Sequence, residues 1–477
     1  MMRCWSVNPV ARQALLCLQV TLLALASVPA ATQVRAQDAE RPVLKPHRFD
    51  EDWRALCDPA RRTTLFDPLK CISLGGDGFA TLTIGGELRE RFENVRNPGF
   101  GLEQSSDHVF LHRVLLHGDL HLGETLRVFV QLGAFGQNGR EGERSATDVD
   151  RLDLTQAFVD LGFATPGDGR VTLRGGRQEM SFGASRLVSV RESPNVRRSF
   201  DGGRVFWMGG GYRVDTFYTR PVSLDEGAFD DRVNNGETLW GVYGTGPVPN
   251  LPGLKADLYY LGYERENARF QIGTADERRY TSGLRLFGER GGFDWDIEAA
   301  YQFGDFGQRD IRAWTIASDI GVAFEGVRLQ PRLGLKADMA SGDRDPNDGK
   351  LGTFNALYPK FPYFSEANLI APANVMDLHP NLQLQLNPSL SAEVGWNVLW
   401  RQTTQDAIYQ PPLGAVAGTA GRGSRFIGHQ AIVGLEWQAT PNLSIASQYV
   451  HFEPGETLEG VGGRSVDFFF ASVAFKF

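Results

Sequence analysis

Long uncharged apolar runs are missing from almost the whole chain. After one near the N-terminus, no stretch offers the roughly 20 apolar residues that a membrane-spanning helix needs. This excludes a helical membrane protein but not a membrane barrel, because only every second residue of a barrel strand faces lipid. Cysteine is also scarce, four in 477 residues, too few for a disulfide-built scaffold. Basic residues are outnumbered: 49 Lys and Arg stand against 57 Asp and Glu, which argues against a nucleic-acid partner. No nucleophile elbow, P-loop or helix-borne zinc motif is present, so the sequence predicts no catalytic residues, no enzyme activity and no cofactor.

The single apolar run lies at 14–28, behind Arg3 and Arg12 and ahead of the small residues Ala30, Ala31 and Ala36. That order marks residues 1–36 as a secretory signal peptide, cleaved after Ala30 or Ala36. Its removal takes Arg3, Arg12 and Arg35 but no acid, so the formal charge moves from −8 to −11. Cys57 and Cys71 remain, and in an oxidising periplasm they are candidates for a disulfide; two buried free thiols are the alternative.

Residues 37–78 are polar and irregular and read as a periplasmic N-terminal segment. From 79 to 477 the chain alternates. Trp295, Ile297, Ala299, Tyr301 and Phe303 interleave with Asp294, Asp296, Glu298 and Gln302. Val394, Trp396, Val398 and Trp400 interleave with Glu393, Asn397 and Arg401. Successive strand side chains point to opposite faces, so each segment has one apolar and one charged face. A soluble sandwich alternates too, but these strands are long, many reaching the roughly 9–11 residues of a tilted membrane crossing, and aromatics sit near their ends. The last strand alternates Phe469, Ala471, Val473, Phe475 and Phe477 up to a terminal phenylalanine, like the strand by which outer-membrane barrels are recognised for assembly.

The pattern predicts an all-β fold: one transmembrane antiparallel β-barrel of about 18 strands, an even number as bacterial barrels require. Short turns such as Gly123-Glu124, Gly210-Gly211 and Gly326-Val327 alternate with long connections at 138–151, 179–201, 222–237, 342–374 and 404–428. The short turns are read as periplasmic and the long connections as extracellular loops. The expected setting is the outer membrane of a Gram-negative bacterium. Its lipid, lipopolysaccharide and barrel-assembly machinery are then partners.

Seven arginines and three acids crowd into 174–204: Arg174, Arg177, Arg186, Arg191, Arg197, Arg198 and Arg204 against Glu179, Glu192 and Asp201. In a confined pore such a run attracts anions, and guanidinium forks suit carboxylates. Alternation places Arg89, Arg91, Arg113, Arg285, Arg332 and Arg401 on the inward face as well. Asp343, Asp345 and Asn347 imitate the start of a calcium loop, but Asp348 and Phe354 stand where Gly and Glu belong, so the only metal reading is a loose Ca2+ site; a solvated acidic loop is the plainer one.

Several stretches resemble the alginate export family of outer-membrane proteins: FDEDW at 49–53, LTIGGELRERFE at 82–93, QAFVD at 156–160, RGGRQEMSFG at 174–183, RRSFDG at 197–202 and FNALYP at 354–359. The resemblance covers nearly the whole mature chain. It implies an eighteen-stranded barrel whose arginine-rich constriction conducts a uronate polysaccharide outward, with periplasmic polysaccharide-export proteins as partners. The pore and substrate-binding candidates are Arg89, Arg91, Arg113, Arg174, Arg177, Glu179, Arg186, Arg198, Asp201, Arg204 and Arg401. One departure is that exporters of alginate carry a long late periplasmic turn over the pore, whereas 439–442 here is short. The reading is a passive channel for an anionic polysaccharide or oligosaccharide. The alternatives are a general or substrate-specific uptake porin for small polar solutes, and an outer-membrane lipid hydrolase.

Overall fold

Alternation over long strands has a geometric consequence in lipid: edge N–H and C=O groups have no water to satisfy them, so the sheet closes on itself. The computed structural model describes residues 42–75, 78–102, 106–142 and 144–477, and Leu44–Phe477 forms one compact unit. The predicted signal peptide lies outside the described residues. Among those described, eighteen long strands make the barrel. They are β1 (Ala80–Arg96), β2 (Ser106–Leu122), β3 (Leu126–Asn138), β4 (Asp150–Ala164), β5 (Arg170–Gln178) and β6 (Phe200–Gly209). Then come β7 (Tyr212–Ser223), β8 (Glu237–Pro247), β9 (Leu254–Phe270), β10 (Gly273–Arg290), β11 (Phe293–Phe306) and β12 (Arg309–Ala323). The last six are β13 (Arg332–Ala340), β14 (Val375–Asn387), β15 (Leu390–Trp400), β16 (Phe426–Thr440), β17 (Leu443–Pro454) and β18 (Val466–Lys476).

Each strand pairs antiparallel with its sequence neighbour, and β18 pairs with β1 from Glu87↔Lys476 to Arg96↔Asp467, which closes the cylinder. The outward face is the expected apolar one. Leu258 is 68% exposed and Leu333 55%, and Trp396, Val394 and Val433 are similarly open. In water such a surface would be a liability; in lipid it is the buried face.

Two expectations about connections needed correction. The turn placed at 326–327 spans 324–331, where two successive tight turns (Val327 N–H to Phe324 O, Gln330 N–H to Val327 O) use up more residues. On the extracellular side, the connections that alternation leaves at 268–276 and 305–309 shrink to the two-residue turns 271–272 and 307–308. There β9 and β10 run on past the apolar band as a polar hairpin, and the ladder continues through an irregularity between Arg265 and Ala268. Hydrogen bonding outlasts the hydrophobic pattern that signals a strand.

The interior is not an open pipe. The β5–β6 loop (179–199) folds inward, where Phe182 stacks on Phe217 and Tyr243 with centroids 5.1 and 4.9 Å away. Gly183 is required there: its φ is +56°, and a Cβ would lie 2.4 Å from the Tyr243 hydroxyl oxygen. The β13–β14 loop (341–374) packs on this one, with Phe354, Tyr358 and Ile370 in the same apolar cluster as Phe182, Leu187 and Val188. At the other end the N-terminal segment does not stay below the barrel. Phe49 is buried between the lumen-facing rings of Phe129 and Phe158, and Arg48 donates to the carbonyls of Gly86 and Phe477 at 3.0 and 2.7 Å. Cys57 and Cys71 are joined by a disulfide, Cα atoms 4.9 Å apart.

Placing a cation in the middle of the outward row tests this sidedness. Val394→Arg is expected to cost about 2–4 kcal/mol of folding stability in lipid vesicles, measured by urea unfolding; no loss would mean that Val394 does not face lipid.

Candidate functional site: the charged lumen and its internal loops

A guanidinium on the inward face of a closed barrel loses much of its hydration and needs a carboxylate or carbonyl in exchange. Around one side of the lumen this produces an alternating belt. Arg127 pairs with Asp119 at 2.7 Å, and Arg174 grips Asp160 with two bonds of 2.7 and 2.8 Å. Arg204 and Arg213 share Asp215. Arg285 bridges Asp257 and Asp296, and Arg332 bridges Asp294 and Asp319. Antiparallel register sets the spacing: Arg174 lies directly opposite Asp160 and Arg285 opposite Asp257.

Four of the sequence candidates, Arg89, Arg91, Arg113 and Arg186, are ties between the wall and the internal loops. Arg113 is fully buried; it pairs with Glu87 at 3.0 Å and Glu192 at 2.8 Å and donates to the carbonyls of Glu192, Pro194 and Asn195. Arg89 donates to carbonyls of the same turn. Together they pin the 179–199 loop to β1 and β2. Arg186, on the same loop, reaches the far wall at Asp296 (2.8 Å) and Glu298 (2.9 Å) of β11. The loop therefore crosses the lumen. Arg91 ties β1 to Glu366 of the 341–374 loop at 2.8 Å. Arg177 holds Asp201 at 2.9 Å, and Asp201 has no other role in the lumen belt. Glu179, wholly buried, joins the N-terminal segment to the loop through His47 at 3.3 Å and Arg197 at 3.5 Å.

One candidate lies elsewhere. Arg401 lines no pore: its guanidinium is buried within the 401–425 loop and donates to the carbonyls of Thr419, Arg422 and Ser424. Strand parity put it inward, but β15 ends at Trp400, and beyond that point parity no longer sets direction. Asp343, Asp345 and Asn347 also do not converge as a calcium loop. Asp345 instead accepts from the Asn347 amide at 3.0 Å, a local turn.

Arg198 is the exception among the candidates. Among the described residues it has no ion pair; its guanidinium lies 4.4 Å from the Tyr358 ring centre. Arg191, 5.3 Å from the Phe361 ring, is alike, and both line an outer cavity with Lys360. Sequence reasoning missed Arg191 and Lys360 as a pair with Arg198, since they meet only when the two loops fold against each other. It also missed the N-terminal plug, although the FDEDW block at 49–53 was a signal. Inward of the plug, a cavity of about 270 Å³ is lined by Arg204, Arg213, Arg285, Asp215, Asp257 and Tyr243 among others. On the periplasmic side of Phe49 lies a vestibule of about 970 Å³.

A closed, lipid-facing barrel with a wet, charged interior defines an outer-membrane channel. A family model for alginate export matches residues 80–472. The chain belongs to the alginate export family. Among solved structures it is similar to Pseudomonas aeruginosa OpdO (14% identity, 83% of this chain and 97% of that one, TM-score 0.55). It is similar also to OccK2 (OpdF) of the same organism in complex with glucuronate (9%, 83% and 96%, TM-score 0.52) and to its OpdK with vanillate (10%, 83% and 98%, TM-score 0.54). Among curated proteins none matches.

Two outcomes test this arrangement. Phe49→Ala removes the ring wedged against Phe129 and Phe158 and is expected to raise single-channel conductance; an unchanged conductance would mean the segment does not obstruct the path. In the outer loop, burial and the neighbouring Asp406 push the Asp343 carboxyl up to about 6. Because the folded value exceeds the unfolded one, the stability this group contributes is present at low pH and lost as pH rises towards 6. Asp343→Asn should therefore stabilise the protein by about 1–2 kcal/mol at pH 7.5 and hardly at all at pH 3.5, read from unfolding midpoints at the two pH values.

Proposed function

We propose that the protein is a passive channel for an anionic saccharide, an oligomer or polymer of uronate type, moving outward, and that it performs no chemistry. The observation that carries this reading is the set of cations without ion pairs, Arg191, Arg198 and Lys360, at the outer cavity between the two internal loops. Elsewhere in the lumen a guanidinium is already answered by protein. Among the described residues these three have no carboxylate paired with them. A carboxylate entering the cavity, about 20 Å³ as it stands, would meet cations not yet neutralised, in contacts weak enough to release the solute again. Phe361 and Tyr363, half-buried beside them, line the same cavity. Membership of the alginate export family and the glucuronate complex of OccK2 agree with uronate chemistry.

A second reading, uptake of single small carboxylated solutes, is favoured by the size of the inner cavity: about 270 Å³ holds one sugar ring rather than a chain. Oligouronate separates the two. Under the export reading it interrupts single-channel current for long dwell times; under the uptake reading monomeric uronate does so and the oligomer does not. Assembly through the barrel-assembly machinery and docking with periplasmic polysaccharide-export proteins complete the proposal.

Arg191→Ala combined with Arg198→Ala is expected to lower anion preference in planar bilayers. Losing two charge-assisted contacts of about 1.5 kcal/mol each shortens oligouronate blockades on the order of a hundredfold. An unchanged reversal potential and dwell time would reject the role of these residues.

A further inference from the structure

The loop joining β7 to β8 (224–236) runs back along the outer end of β4: Arg151 N–H donates to the Gly227 carbonyl at 3.1 Å, and Phe229 N–H to Leu152 O at 2.9 Å. This brings together residues nearly eighty positions apart. Asp153, Asp230 and Asp231 each place a carboxylate oxygen so that all three lie within 4.8 Å of one another. One Asp153 oxygen accepts from the amides of Asp230 and Asp231 at 2.9 and 3.1 Å, which fixes the loop's path but neutralises nothing.

A second observation is independent of that cluster. Asp150, one turn of the pleat away on β4, is 0% exposed, and neither of its carboxylate oxygens has a hydrogen-bond partner. The strongest charges acting on it are those of Asp231, Asp153 and Asp230. One oxygen of Asp230 is likewise buried and unpartnered. The cation at hand, Arg177, stands 3.6 Å from Asp153 and is already held by Asp201 at 2.9 Å. Three carboxylates thus meet, with the unpartnered charge of Asp150 beside them and less than one positive charge to offset the four. An isolated buried carboxylate is costly to leave uncompensated.

We propose that Asp153, Asp230 and Asp231, with the unpartnered carboxylate of Asp150 adding its charge from β4, form a binding site for a hard divalent cation, Ca2+, which clasps the 224–236 loop to the outer end of β4. The donors are all oxygen, the preference of Ca2+ and not of zinc or copper. Two oxygens on one Ca2+ ion stand at most about 5 Å apart, twice the metal–oxygen distance, and the three clustered carboxylates meet that limit. Mg2+, with shorter bonds and a strict octahedron, fits this looser set less well. The site is distinct from the calcium-like run at 343–347, whose side chains serve local turns. It faces the external medium, so the clasp responds to the calcium outside the cell.

The test uses the full mature chain in detergent, freed of metal with EDTA and titrated with CaCl2 by calorimetry. One saturable site is expected, with Mg2+ at least tenfold weaker. Asp230→Asn with Asp231→Asn should weaken Ca2+ binding at least tenfold while keeping the backbone amides that bind Asp153. In parallel, tryptic cleavage after the exposed Arg232 should slow severalfold in Ca2+ for the wild type. No saturable binding at millimolar Ca2+, or an unchanged affinity in the variant, would overturn the site. Should the variant fail to fold, the wild-type digestion decides: cleavage after Arg232 that is indifferent to Ca2+ overturns it.

Discussion

Charge compensation inside a closed cylinder is the constraint from which the rest of the structure follows. Removing one partner of a buried pair costs roughly 3–5 kcal/mol, because the survivor is left in a poor dielectric. Each arginine of the belt therefore stands next to a carboxylate, on the adjoining strand for Arg174 with Asp160 and Arg285 with Asp257, and on its own strand for Arg213 with Asp215. Loops that enter the lumen add to what the wall supplies, beside Glu87 for Arg113 and Glu93 for Arg91. Glu192 and the carbonyls around Pro194 answer Arg89 and Arg113; Glu366 answers Arg91.

That same demand narrows the passage. The 179–199 loop is held to β2 at one side and to β11 at the other, so it spans the interior instead of lining it. Phe49 and its neighbours occupy the periplasmic half, bound through Glu179 to the spanning loop. A barrel wide enough for a large pore becomes a path of small chambers. The late periplasmic turn at 439–442 is short, and it is the N-terminal segment, entering the lumen with Phe49, that narrows this end of the passage.

The barrel was legible in the sequence because lipid on one side and water on the other write a period of two, and turn lengths then gave topology. Arginine direction within strands was legible for the same reason: Arg89, Arg91, Arg113 and Arg174 all point inward. What the arginines do was not legible. The run at 174–204 looks like a free basic surface, yet five of its seven arginines are spent on carboxylates: Arg174, Arg177 and Arg204 on adjoining strands, Arg197 on acids of the run itself, and Arg186 on Asp296 and Glu298 of distant β11. Parity also says nothing outside a strand, which is why Arg401 was misplaced. The outer cations and the Asp150 cluster join residues that only loop folding brings together, beyond any local pattern.

The most direct test of charge compensation as the organising constraint is the single-channel conductance of Arg113→Ala with Arg186→Ala in planar bilayers. With both anchors of the spanning loop cut, the account predicts a barrel that still inserts and conducts with a larger, noisier current. A current equal to the wild type's would show that these ion pairs do not hold the loop across the lumen.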